Sequence, residues 1–169
     1  MVHSLPVDIL EAISGVGDAY HRLILVVGPQ RSGKTTAMAD VASSKGWPHI
    51  NVNLRLAEKL MDLTRRQRAV RVAGILDALA GFDRSDVVLL DNIELLFAVE
   101  LALDPLRLLQ SLSRNRTVVA AWSGDCDGES LIYAEPGHPE YRRFHSPQAR
   151  LVGVTYDEHY PASLGETKR

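Results

Sequence analysis

Residues 23–36 read Leu23-Ile24-Leu25-Val26-Val27-Gly28-Pro29-Gln30-Arg31-Ser32-Gly33-Lys34-Thr35-Thr36, and this stretch decides the fold. Its first five residues are a continuous apolar run whose length and Leu/Ile/Val content suit a strand buried on both faces. Residues 28–35 satisfy the pattern G-x-x-x-x-G-K-[ST], and TTAMADVASS (35–44) reads as a helix ending near Gly46. The glycines let the backbone curl so that successive N–H groups face one anion, and the helix adds its positive end. Lys34 can reach the β- and γ-phosphates of a nucleotide, and the Thr35 hydroxyl can take a place on Mg²⁺. Gly28, Pro29, Gln30, Arg31, Ser32, Gly33, Lys34, Thr35 and Thr36 are therefore the candidate nucleotide-binding residues. The plainer alternative is an ordinary Gly-rich turn between a strand and a helix.

Outward from this unit the chain alternates strands and helices. VDILEAIS (7–14) reads as a short helix and HINVN (49–53) as a second strand. A helical pattern runs from Leu54 to Leu79, with VVLLD (87–91) as a third strand. A helix is expected from there to about Leu101, and Asp104-Pro105 restarts another. TVVAAW (117–122) is the fourth strand, SLIYA (130–134) a further candidate, PGHPEYRRFHSP (136–147) irregular or briefly helical, and ARLVGV (149–154) the last strand. Buried strands alternating with helices predict a parallel sheet with helices on both faces, an α/β three-layer domain. One domain is expected over residues 1–155, followed by a polar tail over 156–169. No C-terminal helical lid is expected after Val154.

Composition narrows the function. Apolar residues make up 46% and charged residues 24% of 169, which excludes wholesale disorder. A net charge of −2 excludes a polycation that coats nucleic acid as a whole, although 15 Arg against 4 Lys favours phosphate chemistry or interfaces. The single cysteine, Cys126, can form no internal disulfide, and no zinc-ligand spacing occurs. The opening MVHSLPVDIL lacks a signal-peptide pattern, and no run approaches a membrane span, so a cytoplasmic location without membrane contact is expected.

A magnesium shell needs a carboxylate at the tip of a neighbouring strand, and Asp91 ends VVLLD at that place. Asp91 as a helix N-cap is the alternative. The next position is Asn92, which can hold a water but cannot accept its proton. Glu94 can substitute as base, or can simply complement a helix start. Ser123, after the fourth strand, can sense the γ-phosphate or form a turn before Gly124. Arg114 and Arg116 flank the turn before that strand and are either trans-acting arginine fingers or solvated charge. Arg65, Arg66, Arg68 and Arg71 form the densest basic patch; 65, 68 and 71–72 share a helical face that can meet duplex DNA, an acidic neighbour or only water. His138, His145 and His159 lack metal spacing and read as surface or structural. Tyr20 either packs into the core or stacks on adenine.

The strand–GPQRSGKT–helix unit, VVLLDN (87–92) and TVVAAW (117–122) together resemble the core of AAA+ and related P-loop ATPases. The resemblance implies a P-loop NTPase core whose mostly parallel sheet has five strands in the order 5-1-4-3-2. The longer strings GPQRSGKTT (28–36), LLDNIELLF (89–97), LDPLRLLQSLSRNRTVVAAWSG (103–124) and PGHPEY (136–141) are similar to the BrxF family, small P-loop proteins of type III BREX phage-defence systems. That similarity spans roughly residues 5–155. It implies ATP and Mg²⁺ as ligands at Gly28, Gly33, Lys34, Thr35 and Asp91, and other BREX components as partners. Together with Asn92, where such ATPases usually carry glutamate, it gives the expectation of a slow or partner-stimulated ATPase acting as an oligomeric switch. A nucleotide-dependent adaptor or DNA-binding module, and a small-molecule kinase with residues 135–150 as its lid, are the alternatives. No [NT]KxD guanine-reading motif occurs.

Overall fold

The structure, a computed structural model, describes residues 4–127 and 130–154. The tail expected over 156–169, His159 and the stretch on which the lid question turns lie outside the described residues. The chain is α/β. Its helices are α1 (Leu5–Gly15), α2 (Lys34–Lys45), α3 (Val52–Leu60), α4 (Arg65–Ala80) and α5 (Pro105–Leu112). Its strands are β1 (Leu23–Gly28), β2 (His49–Asn51), β3 (Val87–Asp91), β4 (Thr117–Asp127), β5 (Ser130–Tyr133), β6 (Arg142–His145) and β7 (Arg150–Gly153). Parallel strands lie side by side as β2-β3-β4-β1-β7, and β5 and β6 extend β4 as an antiparallel ribbon.

All of β1 is buried, because β4 and β7 flank it and helices cover both faces. Side chains alternate along it. Leu23, Leu25 and Val27 join the core built with α3, α4 and α5, while Ile24 and Val26 join the one built with α1 and α2. This is why the strand reads as an unbroken apolar run. Cutting a fully buried leucine such as Leu25 to alanine would cost about 2–5 kcal/mol.

The structure corrects the sequence reading at four places. The sheet has seven strands where five were expected, because β4 runs on past Trp122 and pairs antiparallel with β5 from Gly124. Any side chain at Gly124 would collide with the Ile132 carbonyl, so glycine permits the close crossing. The helix expected over 54–79 breaks into α3 and α4, since Thr64 and Gln67 form a reciprocal capping box that starts a new helix. The helix expected after Asp91 is instead two short 3-10 turns, Glu94–Phe97 and Val99–Leu101. Finally, β6 forms inside a segment read as irregular. The Arg142 guanidinium donates to the Leu103 carbonyl at 2.7 Å and the Phe97 carbonyl at 3.4 Å, tying this segment to the 3-10 turns. Part of the lid that a kinase reading needs is thus fastened down.

An aromatic cluster seals that end. Phe97 stacks on Tyr133 with ring centroids 3.4 Å apart, and Trp122 meets Phe97, Tyr133 and Phe144 edge-on. No helix among the described residues is long and apolar enough to cross a membrane.

Candidate phosphate-binding site

The loop between β1 and α2 opens at the carboxyl end of the parallel sheet, where ligands of open α/β sheets gather. Arg31 (φ 61°) and Gly33 (φ 94°) both take the left-handed conformation that lets consecutive amides point to one side. Gly28 is needed for a different reason. A Cβ there would lie 2.6 Å from Val154 Cγ2 and 2.9 Å from Ser32 Oγ, so the end of β7 packs directly on the loop.

Lys34 is buried, and its ammonium donates to the carbonyls of Gly28 at 2.7 Å and Pro29 at 2.5 Å. Ser32 Oγ donates to the same Pro29 carbonyl at 2.6 Å. Burial pushes the Lys34 ammonium below the ordinary lysine value, while Glu94 and Asp91 pull it back up. A cationic side chain is thus held by two neutral carbonyls, with two carboxylates near enough to act on it.

Asp91 ends β3 and is buried. One of its oxygens accepts from the Asn92 backbone at 2.9 Å, and the other lies 3.2 Å from His49 Nε2. Asn92 is left-handed (φ 50°), a conformation that asparagine tolerates better than a longer side chain. A glutamate here would carry strain, which gives a local physical reason for asparagine at the position after Asp91.

The second carboxylate sits two residues further on. Glu94 accepts from Asn53 Nδ2 at 3.0 Å on one oxygen and from Ser123 Oγ at 3.3 Å on the other. Asn53 is itself clamped: its Oδ1 accepts from the Leu95 backbone at 2.7 Å, and its own N–H donates to the Asn92 carbonyl at 2.8 Å. Ser123 is opposite Gly28 in the β1–β4 register, which sets its hydroxyl beside the loop.

These groups surround one cavity of about 650 Å³, lined by residues 30–36, Asn53, Asp91, Asn92, Glu94, Ala121 and Ser123. It contains phosphate-type donors on one wall and two carboxylates on the other. The donor set fits Mg²⁺ with a nucleotide phosphate: Thr35 offers a hydroxyl and Asp91 a buried carboxylate, both hard oxygen ligands. Among the described residues, no cluster of three or more His, Cys, Asp or Glu makes a separate metal cage.

Other expected residues stand elsewhere. Arg114 and Arg116 lie at the amino end of β4, and Leu23 at the amino end of β1 is about 17 Å along the strand from Gly28. Arg116 pairs with Asp77 at 3.4 Å, and Arg114 lies over the Tyr20 ring at 5.1 Å, so neither enters its own chain's cavity. Tyr20 is exposed at that same far end, neither in the core nor beside a nucleotide at the loop. Arg68 donates to the carbonyls of Leu60 and Leu63 at 2.9 and 3.0 Å, ending α3, while Arg65, Arg66 and Arg71 are exposed. His145 meets Ser130 Oγ at 3.0 Å and His138 accepts from the Glu140 backbone at 3.1 Å, both local structural contacts. The sequence reading missed His49 and Asn53. The one available signal was their position, on or just after the strand beside β3.

No protein-family model matches the chain, and no curated protein does. Among solved structures it is similar to that of C. elegans PCH-2, at 15% sequence identity and a TM-score of 0.43, over 89% of this chain. The aligned part is 41% of that neighbour, so the chain spans well under two thirds of its length.

Proposed function

We propose that the chain binds ATP with Mg²⁺ in this cavity and hydrolyses it slowly or on stimulation, as an oligomeric switch in BREX bacteriophage defence in the cytoplasm. One observation carries the nucleotide reading. The Gly28–Gly33 loop, Lys34, Asp91 and Glu94, spread over more than sixty residues of sequence, converge on a single cavity at the carboxyl end of the sheet. The BREX setting rests on the resemblance of residues 28–36, 89–97, 103–124 and 136–141 to the BrxF family.

In this reading the loop amides and the amino end of α2 hold the phosphate charge. Lys34 exchanges its carbonyl partners for phosphoryl oxygens, and Thr35 and Asp91 hold Mg²⁺. The ion, when bound, neutralises charge on the β- and γ-phosphates. Ser123 reports the γ-position to Glu94. Glu94 is the base, with Asn92 orienting water that it cannot deprotonate. Each Glu94 oxygen accepts one hydrogen bond and keeps a second acceptor site for water. The physical ground for slow turnover is Asn92, which holds a water without accepting its proton. Arg114 or Arg116 of a neighbouring copy would complete the site; Arg114, stacked over exposed Tyr20, is the more accessible.

The same residue, Asn92 with no proton acceptor in its side chain, favours a second reading in which the chain is a nucleotide-dependent adaptor without turnover. Native mass and phosphate release, measured together with and without ATP, Mg²⁺ and duplex DNA, separate the two. Nucleotide-dependent assembly with turnover supports the switch. Binding without phosphate release supports the adaptor, and no response to ATP rejects both.

A further inference from the structure

A second concavity lies between α3, the first turns of α4 and the two 3-10 turns. It measures about 710 Å³, and its apolar walls are Ala57, Leu60, Met61, Leu95, Ala98 and Leu101. Met61, in its lining, is 69% exposed, so apolar surface of the groove faces solvent. Arg65 and Arg68 also line the groove, with Glu100 as the one carboxylate among its lining residues. Arg66 and Arg71 stand exposed on the same helix.

From this combination we infer that the groove docks an amphipathic, acidic helical segment of a partner protein. Three observations select that occupant. The apolar floor asks for apolar side chains, which a polynucleotide backbone does not offer. Exposed Arg65 is complementary to an Asp or Glu flanking those side chains, and Arg68, whose guanidinium already donates to backbone carbonyls, adds positive charge beside it. No lining residue belongs to a strand, so no strand edge is available for an extended peptide to pair with, whereas a helix presents i, i+3 or i+4, and i+7 side chains as one stripe.

The groove also adjoins the nucleotide site. Leu95 and Ala98 bound it from the turn that carries Glu94, and the Leu95 N–H is the group that Asn53 holds. An occupant pressing on Leu95 therefore bears on the Asn53–Glu94 hydrogen bond. This coupling rests on the ATPase reading; the docking itself does not.

The test uses the full chain and a display library of helical segments of roughly 16 residues, four to five turns, with apolar residues at helical spacing and acidic, basic or neutral polar residues elsewhere. Selected segments are measured by fluorescence anisotropy against the wild type, Met61→Glu and Arg65→Glu, with a short duplex DNA as competitor. Both substitutions are at exposed positions, and circular dichroism confirms that each variant folds. The expected result is enrichment of acidic segments whose binding weakens by at least about tenfold in each variant and resists DNA. Selected segments indifferent to Met61→Glu, or an arginine face that binds DNA in place of peptide, would overturn the docking. Phosphate release is then measured with and without the peptide. A changed rate supports the coupling, and peptide binding with an unchanged rate overturns it. If no phosphate is released in either case, the ATPase reading fails while the anisotropy result still decides the groove.

Discussion

Replacing Asn53 separates its two duties, holding the turn and holding Glu94. Alanine removes the acceptor for the Leu95 N–H and the donor to the Glu94 carboxylate, bonds of 2.7 and 3.0 Å. An unsatisfied backbone donor costs about 1–3 kcal/mol and a hydrogen bond to a charged group contributes about 1.5–3 kcal/mol. Glu94 lines the cavity and Leu95 is half-buried, so the net loss is set near the low end, about 2 kcal/mol, or roughly 4–8 °C in Tm for a chain of this size. Asn53→Asp behaves differently. It keeps an acceptor for Leu95 but sets a second carboxylate against Glu94. The charged pair repels, so the folded state holds a proton more tightly than the unfolded chain does. Its penalty is full at neutral pH and shrinks as pH falls into the carboxylate range. Urea unfolding at about pH 7.5 and pH 5 reads both terms. Alanine and aspartate variants with equal, pH-independent losses would refute the placement of Asn53 on Glu94.

Three further outcomes are expected. Gly28→Ala drives a methyl into Val154 and Ser32 and should destabilise by about 1–3 kcal/mol, with partial recovery in the Gly28→Ala/Val154→Ala double variant; additive losses in a thermal-melt cycle would contradict the packing. Because burial holds Lys34 below the ordinary lysine value, it loses its charge, and ATP affinity falls, at a lower pH than an ordinary lysine would dictate. Lys34→Arg should flatten that alkaline limb in a calorimetric titration series. Arg68→Ala removes the cap on the α3 carbonyls and should cost about 2 kcal/mol in urea unfolding, whereas Arg65→Ala at the exposed neighbour should change stability by under about 0.5 kcal/mol.

The places of the 28–33 loop and of Asp91 at strand ends were legible because buried parallel strands leave unbroken apolar runs, and each falls where such a run ends. What hid was set by contacts distant in sequence. The 3-10 turns after Asp91 carry helical periodicity, yet Asn53 takes the Leu95 N–H and Arg142 the Phe97 carbonyl. β6 reads Arg-Arg-Phe-His, with little apolar signal, and forms because Arg142 reaches the 3-10 turns and Phe144 reaches Trp122. The break before α4 was written in Thr64 and Gln67, but an unbroken helical pattern outweighed a capping box without proline or glycine. Glu94 could be named as a candidate base from its spacing. Its clamp could not, since Asn53 and Ser123 reach it only once β2, β3 and β4 lie side by side.

The most direct measurement is equilibrium binding of ATP with Mg²⁺ by calorimetry, to the wild type and to Lys34→Ala. The wild type should bind, and the folded variant should bind at least about 100-fold more weakly, since the cavity loses its buried cation. A wild type that does not bind ATP, or a Lys34→Ala chain that binds it as tightly, would contradict the nucleotide site.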